Sequence, residues 1–234
     1  MKTNSITKVA RDMYIEQMKW SVWFICIIMA VYISLNLAGS YFNFKFTNSL
    51  LMFTSGSSMI YMLVIGIIAG STFLTQYIKL GVTRKVCIYG MAVAALYISV
   101  TLPLIFNLFS AIESIFTGVF RFNFASFILY IFNIYFGYLL GWLINIGYYK
   151  FNWMIGLLFI AFAIFLNSMY AIIWRGNILS LFEVNINTID VNFEAAVQYS
   201  SSYFLMGSIG TVLLIVITLL IIRLLTKNIS VKIR

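Results

Sequence analysis

Six long apolar runs constrain this chain more than any other feature of its 234 residues. About 20 consecutive apolar residues are enough for a helix to cross the hydrocarbon core of a bilayer. None of the six runs carries an Asp, Glu, Lys or Arg near its middle, where a charge would be costly. The pattern predicts transmembrane helices over Ser21–Ala38, Ser57–Gln76, Val86–Leu108, Phe124–Gly147, Trp153–Trp174 and Tyr203–Leu225.

The proportion of charged residues leads to the same fold class. Only 9% of the residues are charged and 63% are hydrophobic, whereas soluble domains have about 25% charged residues. We therefore expect an all-α integral membrane protein with one transmembrane domain over 1–234. Within it, 20–225 would form the six-helix bundle and 226–234 a basic cytoplasmic tail.

Lys and Arg residues are distributed unequally between the two sides of the predicted bundle. With the N-terminus inside, 3 of the 15, Lys45, Arg121 and Arg175, fall outside and the remaining 12 fall inside. Cytoplasmic loops carry such an excess of positive charge. The sequence therefore predicts that both ends are cytoplasmic. The net charge of +9 then reflects topology and does not indicate nucleic-acid binding.

Residues 1–19, before the first span, form an amphipathic pattern. The apolar side chains recur at helical spacing on one side, and the charged ones fall on the other. A helix of this kind can lie along the cytoplasmic interface with its basic groups toward anionic lipid. The alternative is a basic flank that only fixes topology. The two sets are Ile6, Val9, Ala10, Met13, Tyr14 and Gln17, and Lys8, Arg11, Asp12, Glu16 and Lys19.

Catalytic groups suited to a membrane enzyme are missing from the sequence. The chain has no His, no pair of carboxylates within a span and no Gly-x-x-x-x-Gly-Lys-Ser/Thr phosphate-binding loop. The Ser-rich stretch 54–58 stands at a predicted helix start, where N-capping explains it. Cys26 and Cys87 are interpreted as small apolar residues without a disulfide. We expect no enzymatic activity, metal or cofactor in this chain.

Small and aromatic residues suggest how the helices pack. Two glycine pairs at spacing four, Gly66 with Gly70 and Gly137 with Gly141, let helix backbones approach closely. Ordinary packing within the chain and a subunit interface both remain open. The tyrosines at 130, 135 and 138 could line a translocation surface, but the pattern favours lipid-facing or interfacial positions.

Two further features concern the outer side. Pro103, the only proline, predicts a kink near the outer end of the third span. The long segment 175–202 is too polar to span, and either a re-entrant hairpin or a surface loop fits it.

The short basic loop between the second and third spans is the most informative motif. Its candidate functional residues are Lys79, Leu80, Gly81, Val82, Thr83, Arg84 and Lys85. A loop that only fixes topology needs positive charges but not this arrangement. Here a flexible glycine precedes a threonine able to cap the next helix and two adjacent cations.

This loop resembles the Leu-Gly-x-Thr/Ser-Arg element of ABC-2-type transporter membrane subunits. The predicted architecture is also similar to that of the family. The shared features are six spans, two cytoplasmic ends, an amphipathic start and a long outer segment before the last span. The small size and the composition of this chain resemble those of bacterial exporters of amphipathic peptides. The two groups concerned are the phenol-soluble modulin exporters and the lantibiotic self-protection transporters.

The resemblance implies a permease of the bacterial plasma membrane without catalysis of its own. ATP and Mg would bind to separate cytoplasmic ATPase subunits, which contact the 79–85 loop. A second membrane subunit, identical or similar, would complete the transporter, and an amphipathic peptide would be its substrate. The alternative is a membrane protein that binds without transporting, such as a bacteriocin-immunity or scaffold protein.

Overall fold

The computed structural model describes residues 3–42, 50–117, 124–151, 153–175 and 201–227. These ranges contain six α-helices and no strand. The helices are α1 (Thr3–Tyr41), α2 (Leu50–Lys79), α3 (Arg84–Thr117), α4 (Phe124–Lys150), α5 (Trp153–Arg175) and α6 (Ser201–Lys227). All six are long and apolar enough to cross a membrane, which confirms the predicted number of spans and the all-helical class.

Contacts between side chains show that consecutive helices run in opposite directions. The α1 residue Ser21 meets Tyr61 of α2, while Tyr32, further along α1, packs against the ring of Phe53, earlier in α2. Trp174 near the end of α5 bonds to Thr211, early in α6. The start of α1 therefore lies at the same end of the bundle as the α2–α3 loop and the end of α6.

The core is centred on α4, which is far more buried than the other helices: 72% of its most apolar window is inside the bundle, against 17–39% elsewhere. It packs mainly against α2 through the two glycine pairs. A Cβ at Gly66 would meet the Tyr138 carbonyl, and one at Gly141 the Leu63 carbonyl. Both glycine pairs therefore serve close packing within the chain.

The N-terminal segment is continuous with the first span. Residues 3–41 form a single helix, about 58 Å long at about 1.5 Å per residue. Its first half packs in parallel beside α3, with Val9 against Gly90 and Tyr14 edge-to-face on Tyr97. No Pro or Gly lies between Thr3 and Ser21 to interrupt the helix. The apolar face of residues 3–19 thus contacts the protein itself.

Two local expectations are wrong. The Ser-rich stretch does not cap a helix, because α2 already begins at Leu50. Thr54 and Ser57 instead bond back to the carbonyls of Leu50 and Phe53, a way in which hydroxyl side chains are satisfied within a helix.

The α4 tyrosines do not face lipid either. Tyr130 and Tyr138 are fully buried, and Tyr135 is 7% exposed. In the described chain, Cys26 is exposed, Cys87 is buried and both are free.

Other predictions fall outside what the structure tests. The possible re-entrant segment lies in 176–200 and most of the basic tail in 228–234, outside the described residues. Pro103 lies inside the continuous helix α3, so its predicted kink stays a prediction.

Candidate functional site at the basic end

The loop predicted from sequence to couple to a partner has a well-defined backbone. The Val82 amide donates to the Tyr77 carbonyl at 2.9 Å, and the Gly81 amide to the Ile78 carbonyl at 3.0 Å. Gly81 has a φ of +79°. These are the bonds and the left-handed residue of a Schellman C-cap. The motif ends α2 at Lys79 and gives the glycine a conformational role.

Thr83 occupies the position immediately before α3, as predicted for an N-cap. Its carbonyl accepts a hydrogen bond from the Cys87 amide at 3.0 Å, so the first turn of α3 forms directly after the loop. Only four residues, 80–83, separate the two helices. The connection is therefore short and held at both sides by backbone hydrogen bonds.

The side chains of the loop differ in their exposure to solvent. Leu80 is 76% exposed, although it is a large apolar residue at a helix end. Lys79 and Lys85 are exposed beside it, and Val82 is half-buried against the core. An exposed leucine flanked by cations is suited to a partner with an apolar pocket and acidic rim.

Arg84 connects the loop to another helix of the bundle. Its Nη1 donates to the Lys227 carbonyl at 3.4 Å, and Lys150 Nζ donates to the Leu225 carbonyl at 3.0 Å. Both cations thus lie where the C-terminal carbonyls of α6 present negative partial charge. We call the cluster at this end the basic end: Lys79, Arg84, Lys85, Lys150, Arg223 and Lys227.

Arg223 strengthens the same contact between α3 and α6. Its guanidinium lies 5.8 Å from the centre of the Tyr89 ring, a cation–π distance. The loop residue Arg84 and the α3 residue Tyr89 therefore both contact the last turns of α6.

Buried polar pairs across the bundle form a second group, which sequence reasoning missed. Gln17 Nε2 donates to the Tyr138 hydroxyl at 3.2 Å, and Ser58 shares a hydrogen bond of 3.0 Å with Tyr130. Further out, the Tyr32 hydroxyl donates to Glu113 at 2.7 Å. Each pair joins residues more than 70 positions apart, so no local pattern announces it.

The described residues include no cluster of three or more His, Cys, Asp or Glu that could hold a metal. What the basic end offers is a stiff, exposed contact surface linked to a transmembrane helix.

The chain matches no known protein-family model, no curated protein and no solved structure.

Proposed function

We propose that this chain is the membrane subunit of an ATP-driven exporter of the ABC-2 type. The observation that carries the proposal is the rigid, exposed loop at the basic end, with Leu80 at its tip and Arg84 bonded to the end of α6. Separate cytoplasmic ATPases bind the loop and supply ATP and Mg. Amphipathic peptides, or other membrane-active compounds, are the proposed cargo.

The proposed mechanism is mechanical. Closure of the ATPases on ATP displaces the loop, and the Schellman cap keeps the loop from absorbing that displacement by bending. The contacts of Arg84 and Arg223 then pass the movement to α6. Lys85 and Lys79 pair with carboxylates of the ATPase, while Leu80 fills an apolar pocket.

The proposal includes an orientation in the bacterial plasma membrane. The basic end faces the cytoplasm, because the excess of Lys and Arg belongs on that side. Both chain ends then lie inside. The placement of residues 1–19 along the cytoplasmic interface stays a prediction. In the structure their apolar side is already occupied by α3.

The test is a gentle-detergent pull-down of the tagged chain from its native membrane, followed by mass spectrometry. We expect a stoichiometric P-loop ATPase that is lost when Leu80→Asp and Lys85→Glu are combined. Lys227→Glu is the control for charge, since it makes the same change as Lys85→Glu at the basic end but outside the loop. Its ATPase content should equal that of the unchanged chain.

Two results would overturn the proposal. One is a preparation without any ATPase even after crosslinking, which would favour a stand-alone immunity or scaffold protein. The other is an ATPase retained equally by the loop variant and the control, which would remove the loop from the contact.

A further inference from the structure

Three contacts fix the height of the first half of α1 within the bundle. Gln17 bonds to Tyr138, which lies near the middle of α4. The neighbouring Met18 accepts a hydrogen bond from Thr101, near the middle of α3, at 3.7 Å. Ser21 shares one with Tyr61 of α2. Residues 17–21 are therefore at mid-height and not at the basic end.

The opposite face of this segment is charged and exposed. We call it the α1 stripe: Lys8, Arg11, Asp12, Glu16 and Lys19. Since Lys8, Asp12, Glu16 and Lys19 follow spacings of three and four, they share one face of the helix. Lys19 and Glu16 form an ion pair of 2.8 Å, with side chains 65% and 46% exposed. The stripe runs from near the basic end to the middle of the bundle.

A charged stripe at this height does not suit a lipid environment. Ionisable side chains within the membrane face a bundle interior or a water-filled cavity, and they pair with one another. The neighbouring helices carry no charged residue at the same height. Lys19 and Glu16 would thus point into hydrocarbon if the chain were alone in the bilayer.

We infer that two copies of this chain meet along the α1 stripe. The inference rests on the proposed function and deepens it, because it names the second membrane subunit that the resemblance to ABC-2 transporters implies. The stripe contains three cations and two anions, so it is nearly neutral and carries both signs. Anionic lipid would match the cations alone, whereas a second stripe matches both signs.

Symmetry allows this match for two chains with the same orientation in the membrane. A twofold axis along the membrane normal places the same face of α1 against itself, with the helices parallel. Residues one turn apart then become neighbours across the axis. Lys19 of one copy then lies about one turn from Glu16 of the other, and Lys8 about one turn from Asp12. Each anion is already paired within its own helix, Asp12 with Arg11 and Glu16 with Lys19, and gains a second cation across the axis.

A native cysteine of the chain lies where it can be used to detect this contact. Cys26 is exposed and lies about five full turns beyond Lys8, on the same line of the helix surface. Two parallel copies would bring their Cys26 side chains together. Cys87 is fully buried and does not compete.

The experiment is oxidative crosslinking of the native chain in its own membranes. We expect a disulfide-linked dimer that is lost in Cys26→Ser. Lys19→Cys, added to the Cys26→Ser chain, should restore the dimer from the end of the stripe that lies at mid-height in the bundle. Leu213→Cys in the same background is the control, because Leu213 is 57% exposed on α6 and should give only the collisional level.

The same crosslinking experiment can also contradict the two-copy contact. If neither Cys26 nor Lys19→Cys forms more dimer than Leu213→Cys, the two-copy contact is wrong. Lys19→Cys would then be expected to react with an impermeant maleimide added from the cytoplasmic side, as an interfacial helix requires. The two proposals fail separately, because Lys85→Glu in the loop should leave the Cys26 crosslink unchanged.

Discussion

The α2–α4 contact and the loop at the basic end differ in the types of residue that form them and in how exposed these residues are. Where α2 meets α4, glycines and buried hydroxyls face each other, and every close contact is made within the chain. At the loop, a leucine and several cations are held out by a stiff backbone. The comparison separates residues that specify the fold from residues that are exposed where a partner could bind. Substitutions in the first region should change stability, and those in the second should change association.

The largest effect is expected from Gly141→Leu. Its Cβ would overlap the Leu63 carbonyl, and backbone cannot move aside as a side chain can. Overpacking should destabilise the bundle by at least about 1–3 kcal/mol, measured as a lower unfolding temperature in detergent. Gly210→Ala is the control, because the atoms nearest the new Cβ belong to the Ile173 side chain, at 3.2 Å and more, and not to backbone. Equal stability of the two variants would contradict the account of the α2–α4 contact.

Gly81→Val should separate association from stability. The left-handed conformation costs a residue with a Cβ about 1–2 kcal/mol, and a β-branched side chain accepts it poorly. We expect the loop to change shape while the bundle stays folded, so ATPase capture falls without a matching loss of thermal stability. Asn tolerates this conformation, and Gly81→Asn should therefore retain capture. Loss of capture in both variants would show that the cap geometry is not what matters.

Tyr138→Phe tests the buried polar pairs. It removes the partner of the Gln17 amide, whose Oε1 already lacks a hydrogen bond in the described structure. We expect a loss of about 1 kcal/mol in the free energy of unfolding, since a buried amide is left without its acceptor. The double variant Gln17→Leu with Tyr138→Phe should recover most of it. Additive losses would mean that the pair does not interact.

The smallest effect is expected where the loop meets α6. Arg84→Gln removes a cation beside the α6 carbonyls, an interaction of about 0.3–1 kcal/mol for an exposed group. At 3.4 Å, the bond from Arg84 is longer than the 3.0 Å bond from Lys150. Thermal unfolding should therefore respond less to Arg84→Gln than to Lys150→Gln. The reverse order would assign Arg84 a structural role larger than its geometry indicates.

Local sequence patterns identified the helices but not all of their ends. Hydropathy is enough to find six spans, because a bilayer requires long uncharged helices. It began the first span near Ser21 and the second near Ser57, whereas α1 begins at Thr3 and α2 at Leu50. In both places polar side chains mimic a boundary. Gln17 and Ser21 form hydrogen bonds with tyrosines of other helices, and Ser57 bonds within α2, so helical structure continues through them.

The candidate site was predictable to the extent that its structure is local. The Gly81 turn and the Thr83 position follow from residues within one short loop, and the structure contains both. The link from Arg84 to Lys227 joins residues 143 positions apart, and the burial of Tyr138 depends on α1 and α2. Because such features arise only when the helices pack, they cannot be recognised from local patterns in a single sequence.

The most direct test of the proposed coupling is a photo-crosslinking amino acid placed at Leu80. The variant chain is expressed in its native host cells, which contain its natural partner proteins. Leu213, exposed on α6, is the control position. We predict that the Leu80 probe captures a P-loop ATPase, identified by mass spectrometry, and that the Leu213 probe does not. Capture of no ATPase at Leu80, with efficient crosslinking to other membrane components at both positions, would contradict the assignment of this loop as the site of coupling.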